Sequence, residues 1–211
     1  MIKNFLEQLR IQRWDDHRFY HHSRINQSLH FVSAISFMVG YFMMFFDPMM
    51  SALIGWLVSM TSRQAGHFFF EPRGFDEINQ VTHEHKEDIK VGYNLRRKVV
   101  LMTIWALAPV VLYVSPTLFG LANPWVTAGE FVRQVAKIWL LVGFGGLLFR
   151  TVHLFFIYNV ETGLVWMTKI LTDPFNDFML YRHAPLALLR GELIDPGLDI
   201  LEHQAMEEAH A

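Results

Sequence analysis

Four long stretches of mostly apolar positions, separated by polar ones, set the pattern of this chain. The first, LHFVSAISFMVGYFMMFF (29–46), stops at Asp47-Pro48, a compact turn signal, and the second, PMMSALIGWLVSMTSRQAGHFFF (48–70), follows at once. The third, VVLMTIWALAPVVLYVSPTLFGL (99–121), carries Pro109 and Pro116. The fourth, VAKIWLLVGFGGLLFRTVHLFFIY (135–158), has a GFGG core suited to close helix contact and a charge, Arg150, that must snorkel or pair. A bilayer-crossing helix takes about 20 predominantly apolar residues. The pattern therefore predicts an all-α polytopic membrane protein, a four-helix transmembrane bundle whose first two spans form an antiparallel hairpin and whose third kinks at its prolines. The charged N-terminus, MIKNFLEQLRIQRWDDHRFYHH, lacks the apolar core of a cleavable signal and reads as a retained amphipathic segment. Residues 159–211 read as an amphipathic tail, with KILTDPFNDFMLYRHAPLALLRGELIDP broken by proline and lying along the membrane surface. The 211 residues are expected to form a single membrane-embedded domain.

Composition strengthens the membrane assignment: 52% hydrophobic residues with 19 Phe, 11 Met and 6 Trp is too apolar for an ordinary soluble domain. Eighteen Lys and Arg against 20 Asp and Glu leave no bulk charge for nucleic acid, and none is expected as a partner. The location of the charges is more informative. Outside the spans, five Lys and Arg precede the first, none lie in the turn of the first hairpin, six run from Arg73 to Lys98, one lies between 122 and 134, and three follow the fourth span. The excess of positive charge on cytoplasmic loops predicts both termini and the loop 71–98 in the cytoplasm, across a bacterial inner membrane or the endoplasmic reticulum. With no cysteine, the strong metal ligands left are His, Asp and Glu.

That topology collects histidines. His22 and His30 stand at the cytoplasmic mouth of the first span, His67 at the end of the second, His83 and His85 in the loop, and His153 in the cytoplasmic half of the fourth. Nine of the eleven histidines can approach one membrane face. Histidine tolerates an interface as Tyr and Trp do, but the opposite face, with Tyr113 and Trp125, holds none. Convergence from separate segments points to a metal site.

On a continuous helix His22, Asn26 and His30 fall at i, i+4, i+8 and share a face, with His17 and His21 a second i, i+4 pair about one residue's rotation away. His67 and Glu71 are also i, i+4, beside Gly66, which lets another group approach closely. His83 and His85, at i, i+2 in THEHKE, cannot share a helical face, so one is expected as ligand and the other behind it. His153 is a candidate because an ionisable group inside a span is costly. His183 reads as structural.

The residues Phe19, Tyr20, His21 or His22, Asn26 and His30 leading into the first span, followed by Gly66, His67, Phe70 and Glu71 in GH-x-x-FE at the end of the second, resemble the membrane-embedded 2-hydroxy fatty acid dioxygenases of phytosphingosine breakdown. The resemblance covers roughly residues 17–75 and the four-span layout. It implies an Fe(2+) enzyme that consumes O2 and shortens a 2-hydroxy fatty acid by one carbon, with His30, His67, Glu71 and Asn26 at the catalytic centre. Combined with the convergence of histidines on one face, it leads to the expectation that the iron is held by His21 or His22, His30, His67 and one of His83, His85 or His153, with Arg63, Arg73 or Arg150 steering the substrate carboxylate bidentately. The family's spacing selects His21 where helical phasing selects His22, so both stand. The insert PRGFDEINQVTHEHKEDIKVGYN, which adds His83 and His85, and the C-terminal third depart from the family's pattern. Three other readings remain: a di-iron histidine-box lipid hydroxylase or desaturase, suggested by DHRFYHH; a haem-binding membrane electron carrier using His30, His67 and His153; and a non-enzymatic membrane scaffold.

Overall fold

The structure, a computed structural model, describes residues 2–76 and 79–196. The expectations for the end of the tail, including His203 and His210, lie outside the described residues. The described residues form helices and no strand: α1 (Ile2–Tyr20), α2 (Arg24–Met43), α3 (Pro48–Ile54) running through a π-helical turn (Gly55–Met60) into α4 (Thr61–Phe69), α5 (His83–Ile89), α6 (Leu95–Val114), α7 (Ala128–Ile157), α8 (Val160–Tyr181) and α9 (Ala184–Leu189). The all-α class expected from the apolar pattern is the class observed.

Six of these helices begin where a short polar side chain accepts from a free backbone N–H. Ser23 takes Ile25, Asp47 takes Met49 and Met50 with Pro48 in the first turn, Thr82 takes His85, Asn94 takes Arg97, and Asn159 takes Thr162. Thr127 and Glu130 cap α7 reciprocally. These caps move several expected boundaries. α6 starts at Leu95 and ends at Val114, because the residue before Pro116 is held away from helical geometry, so Pro116 ends the helix rather than kinking it. α7 starts at Ala128 and reaches 30 residues.

The largest departure is at the C-terminal side. α8 runs 22 residues straight through Pro174 and packs against α1, α2 and α7, instead of lying broken along a surface. Its polar residues Lys169, Asp173, Asp177 and Tyr181 recur every fourth position and are buried, so this face points into the bundle.

By length and composition, two helices among the described residues can cross a membrane, α6 and α7, with mean hydropathy of 1.6 and 1.9 over their most apolar windows. Little of either is buried, and Val100, Ile104, Leu107, Leu141, Phe149 and Phe156 face outward. α2 opens with Arg24, Asn26, Gln27 and His30, and the α3–α4 helix is divided by its π turn, so neither meets the same standard.

Two differently built ends result. At one, Trp56, Trp105 and Trp139 stack with centroids 6.0 and 5.4 Å apart and close round Ala108, Leu112 and Val135. Their indoles satisfy carbonyls in passing: Trp56 Nε1 donates to the Trp139 carbonyl (2.8 Å) and Trp139 Nε1 to that of Trp105 (2.9 Å). At the other, the α1–α2 junction, the start of α2, the end of α4 and the last turns of α8 meet. The π turn helps to set this geometry: it adds the equivalent of one residue, which rotates α4 by roughly 100° relative to α3.

Candidate metal centre

At the polar end, His21, His30 and His67 come together with one ligating atom of each within 4.8 Å of the others, all three residues buried. Ring centroids lie 4.0 Å apart for His21 and His30, 4.9 Å for His30 and His67, and 5.5 Å for His21 and His67. Each ring is held from behind by an oxygen. His21 Nδ1 is 2.7 Å from the Tyr181 hydroxyl, His30 Nδ1 is 3.4 Å from Asp177 Oδ2, and His67 Nδ1 is 2.8 Å from Glu71 Oε2. With the ring proton on Nδ1 facing these acceptors, Nε2 carries the free lone pair. Nε2 of His21 and of His30 is buried with no hydrogen-bond partner. An orphaned buried polar group costs about 1–3 kcal/mol, and two side by side, each backed by an oxygen at the opposite nitrogen, match the donor arrangement of metal-ligating histidines. The group could hold a metal ion.

The chain delivers these side chains through local breaks. α1 ends at Tyr20 and α2 starts at Arg24, so His21 and His22 lie in non-helical backbone. Gln27, fully buried, donates from Nε2 to the His21 carbonyl (2.8 Å), and the backbone N–H of Asp195 donates to the His22 carbonyl (2.9 Å). This clamp turns His21 inward. His22 turns away: its Nε2 donates to the Arg18 carbonyl and lies 3.7 Å from Asp76. The phasing that favoured His22 assumed an uninterrupted helix, and the break between Tyr20 and Arg24 removes that phase relation.

Asn26 donates from Nδ2 to the Tyr20 carbonyl (2.7 Å), while its Oδ1 is buried without a partner. The space it occupies exists because residue 66 is glycine: a Cβ there would collide with Asn26 Oδ1 and sit 3.4 Å from His30 Cδ2. Glu71 acts through His67, orienting the ring rather than joining the ligating group.

Behind His30 runs a chain of buried charges. Arg63 donates to Asp177 (2.8 Å) and lies 3.6 Å from Asp173, which Lys169 holds at 2.7 Å, and Lys169 also binds Asp16. Burial works against an ionised Asp177, but Arg63 and His30 more than offset it and hold the carboxyl well below the usual carboxylate range. For His21 burial is the main cause, reinforced by His30 and Arg63, and it keeps the imidazole neutral far below its ordinary pKa. Neutral rings whose Nδ1 faces an oxygen acceptor, the Asp177 or Glu71 carboxylate or the Tyr181 hydroxyl, are the state that donates to a cation.

Several expected participants stand elsewhere. Arg63 is committed to Asp177 and Asp173. Arg150 donates to the Val91 and Gly92 carbonyls (2.5 and 3.1 Å), tying α7 to the loop before α6, and to His153 Nδ1 within α7 (2.9 Å), so neither is free for the site. Arg73 is exposed and bonds the Phe68 carbonyl (2.5 Å). His85 is exposed at the start of α5. His83 lines a small hollow with His67, Glu71 and Lys98 but is not one of the three converging histidines. The sequence reading missed Tyr181, Asp177 and Gln27. A signal for the first two was present, in the fourfold spacing Lys169, Asp173, Asp177, Tyr181 on an otherwise apolar helix.

His67 also lines a cavity of about 370 Å³ that extends between α2, α3, α6, α7 and α8 past Phe37, Gly40, Trp56, Trp139 and Phe144. That volume is in the range of ligand sites, roughly 300–1,000 Å³. Compared with models of known protein families, with curated proteins and with solved structures, the chain matches none.

Proposed function

We propose that this chain is an iron(II)-dependent membrane dioxygenase that shortens a 2-hydroxy fatty acid by one carbon. The observation that carries the reading is that one residue, His67, belongs both to the buried histidine triad and to the wall of a long apolar cavity. A head group at the triad and an aliphatic tail along the cavity fit that junction. The motif residues His21, Asn26, His30, Gly66, His67 and Glu71 that resemble the dioxygenase family sit together there.

Iron(II) held by Nε2 of His21, His30 and His67 would supply open positions for O2 and for the 2-hydroxyl and carboxylate of the substrate. The chain's own groups do the rest. Asp177, Glu71 and Tyr181 retain the Nδ1 protons and keep Nε2 a donor. Burial of the triad excludes bulk water from the reacting end. With O2 as the only oxidant, cleavage of C1–C2 yields the acid one carbon shorter, CO2 and water, so no external reductant enters.

In this reading α6 and α7 cross the bilayer, the α2 and α3–α4 hairpin is embedded beside them, and both termini with the 71–98 segment face the cytoplasm. The distribution of Lys and Arg supports that orientation. Neither rival chemistry is favoured by an observation. Among the described residues one three-histidine group is present, where a di-iron centre needs a second set of ligands, and ring centroids 4.0 to 5.5 Å apart leave no slot for a porphyrin between the histidines.

The test is direct. Purified protein supplied with iron(II) and O2 should convert 2-hydroxypalmitate to the acid one carbon shorter, read by mass spectrometry. Folded, iron-loaded protein that leaves the substrate untouched would overturn the reading.

A further inference from the structure

The cavity wall carries four Lys and Arg side chains, Arg63, Lys90, Lys98 and Lys169. Three are matched by anions. Arg63 pairs with Asp177 (2.8 Å), Lys90 lies 3.4 Å from Glu87 and 3.4 Å over the Tyr20 ring, and Lys169 pairs with Asp173 (2.7 Å) and Asp16. The acidic residues of the wall are equally occupied: Asp15 holds Arg18 (2.8 Å), while Asp16 and Asp173 hold the cations just named. Lys98, in the first turn of α6, differs. Its ammonium has no hydrogen-bond or ion-pair partner among the described residues.

Its position is specific. Lys98 and His67 are the two residues that line both the apolar cavity and the small hollow holding Glu71, Arg73, His83 and Glu87, so Lys98 lies at the histidine end of the cavity, with the Glu71 and Glu87 carboxylates nearby but outside ion-pair distance of its ammonium. The rest of the wall is dominated by side chains such as Phe37, Trp56, Met60, Trp139 and Phe144, which offer nothing to a charged group. A partly desolvated ammonium facing apolar surface is unfavourable until an anion neutralises it. An amphiphile with one negative charge at its end and an aliphatic tail completes both halves of the wall at once.

We propose that Lys98 is the carboxylate anchor of this cavity: its ammonium pairs with the head group of a long-chain fatty acid whose tail lies along the apolar wall. The proposal deepens the proposed function and rests on it for the link between binding and turnover. The anchor sets a preference for free acids over esters and alcohols of the same chain length, and it takes the steering role that Arg63, Arg73 and Arg150 are too committed or too remote to fill.

Three tryptophans in the wall, Trp56, Trp139 and Trp166, provide the readout. Full-length protein in detergent, stripped of metal with a chelator, is titrated with bromine-labelled palmitic acid and with its methyl ester, and quenching of tryptophan emission is followed. The expected result is saturable quenching by the acid, with the ester bound about tenfold more weakly, the ratio of one ordinary charge-assisted contact. K98M should bring acid and ester to within about threefold of each other, K98R should keep the preference for acid, and K98E should favour a bromine-labelled alkylamine. Retention of the preference in K98R with its loss in K98M assigns the effect to charge rather than folding. Equal quenching of the native protein by acid and ester, or an unchanged acid preference in K98M, would overturn the anchor. Because no iron is present, failure of turnover with the preference intact removes only the dioxygenase reading, and turnover of 2-hydroxypalmitate with an unchanged KM in K98M removes only the anchor.

Discussion

The two ends of this bundle bury their interiors by opposite means. At the tryptophan end the buried polar atoms are backbone carbonyls, and indole N–H groups satisfy them: Trp56 to Trp139 at 2.8 Å and Trp139 to Trp105 at 2.9 Å. At the histidine end Lys169, Asp173 and Asp177 are buried and Arg63 is largely so, and each is stabilised by an opposite charge from another helix. Burying ions is costly even when they are paired, and apolar packing of the same volume is often at least as stable. Stability alone gives no reason to put these charges there. What the chain does at that end is fix Asp177 behind His30 Nδ1, while Tyr181 and Glu71 engage Nδ1 of His21 and His67.

The comparison can be broken most sharply by one substitution at each end. R63A leaves Asp177 buried without its cation, while Asp173 keeps Lys169, and should lower stability by about 3–5 kcal/mol while also weakening metal binding at the triad. W139A should cost a similar amount, about 3–5 kcal/mol, yet leave the metal content of the surviving folded protein unchanged. Thermal melting and metal analysis on the same samples separate the two. A smaller effect is expected at Gly66. G66A places a methyl group against Asn26 Oδ1 and should destabilise by about 1–3 kcal/mol, and pairing it with N26A should recover part of the loss in a double-mutant cycle. D177N keeps the shape behind His30 but removes the anion, and should weaken metal affinity by about 10–100-fold, measured by chelator competition. At the bottom of the range, R73A should change stability by less than about 0.5 kcal/mol and leave metal content unchanged, because Arg73 is exposed and bonds one carbonyl.

Much of the helical frame was legible in the sequence because apolar runs and their caps are local signals. The runs at 29–46, 48–70, 99–121 and 135–158 all fall mainly on helices, and Asp47-Pro48 marks the hairpin turn between the first two. His30, His67 and the His67–Glu71 spacing were legible for the same reason, since i, i+4 on a helix is a geometric statement. The choice between His21 and His22 was not. It depends on where α1 stops, and that is set by Gln27 and by backbone from 193–195, far along the chain. Asp177 and Tyr181 were masked by Pro174, which suggested a broken surface segment when neighbouring helices keep α8 intact. Arg63 and Arg150 looked available for substrate because their partners, Asp177 and the 91–92 carbonyls, are distant in sequence.

The central claim is that His21, His30 and His67 form one metal site and that His22 does not belong to it. Metal content per chain, measured on purified native protein and on H21A, H22A, H30A and H67A side by side, tests it. One metal ion per chain in the native protein and in H22A, iron on the proposed reading, and close to none in the other three, is the expected result. Metal retained in H21A and lost in H22A, or a content that H30A and H67A leave unchanged, would contradict it.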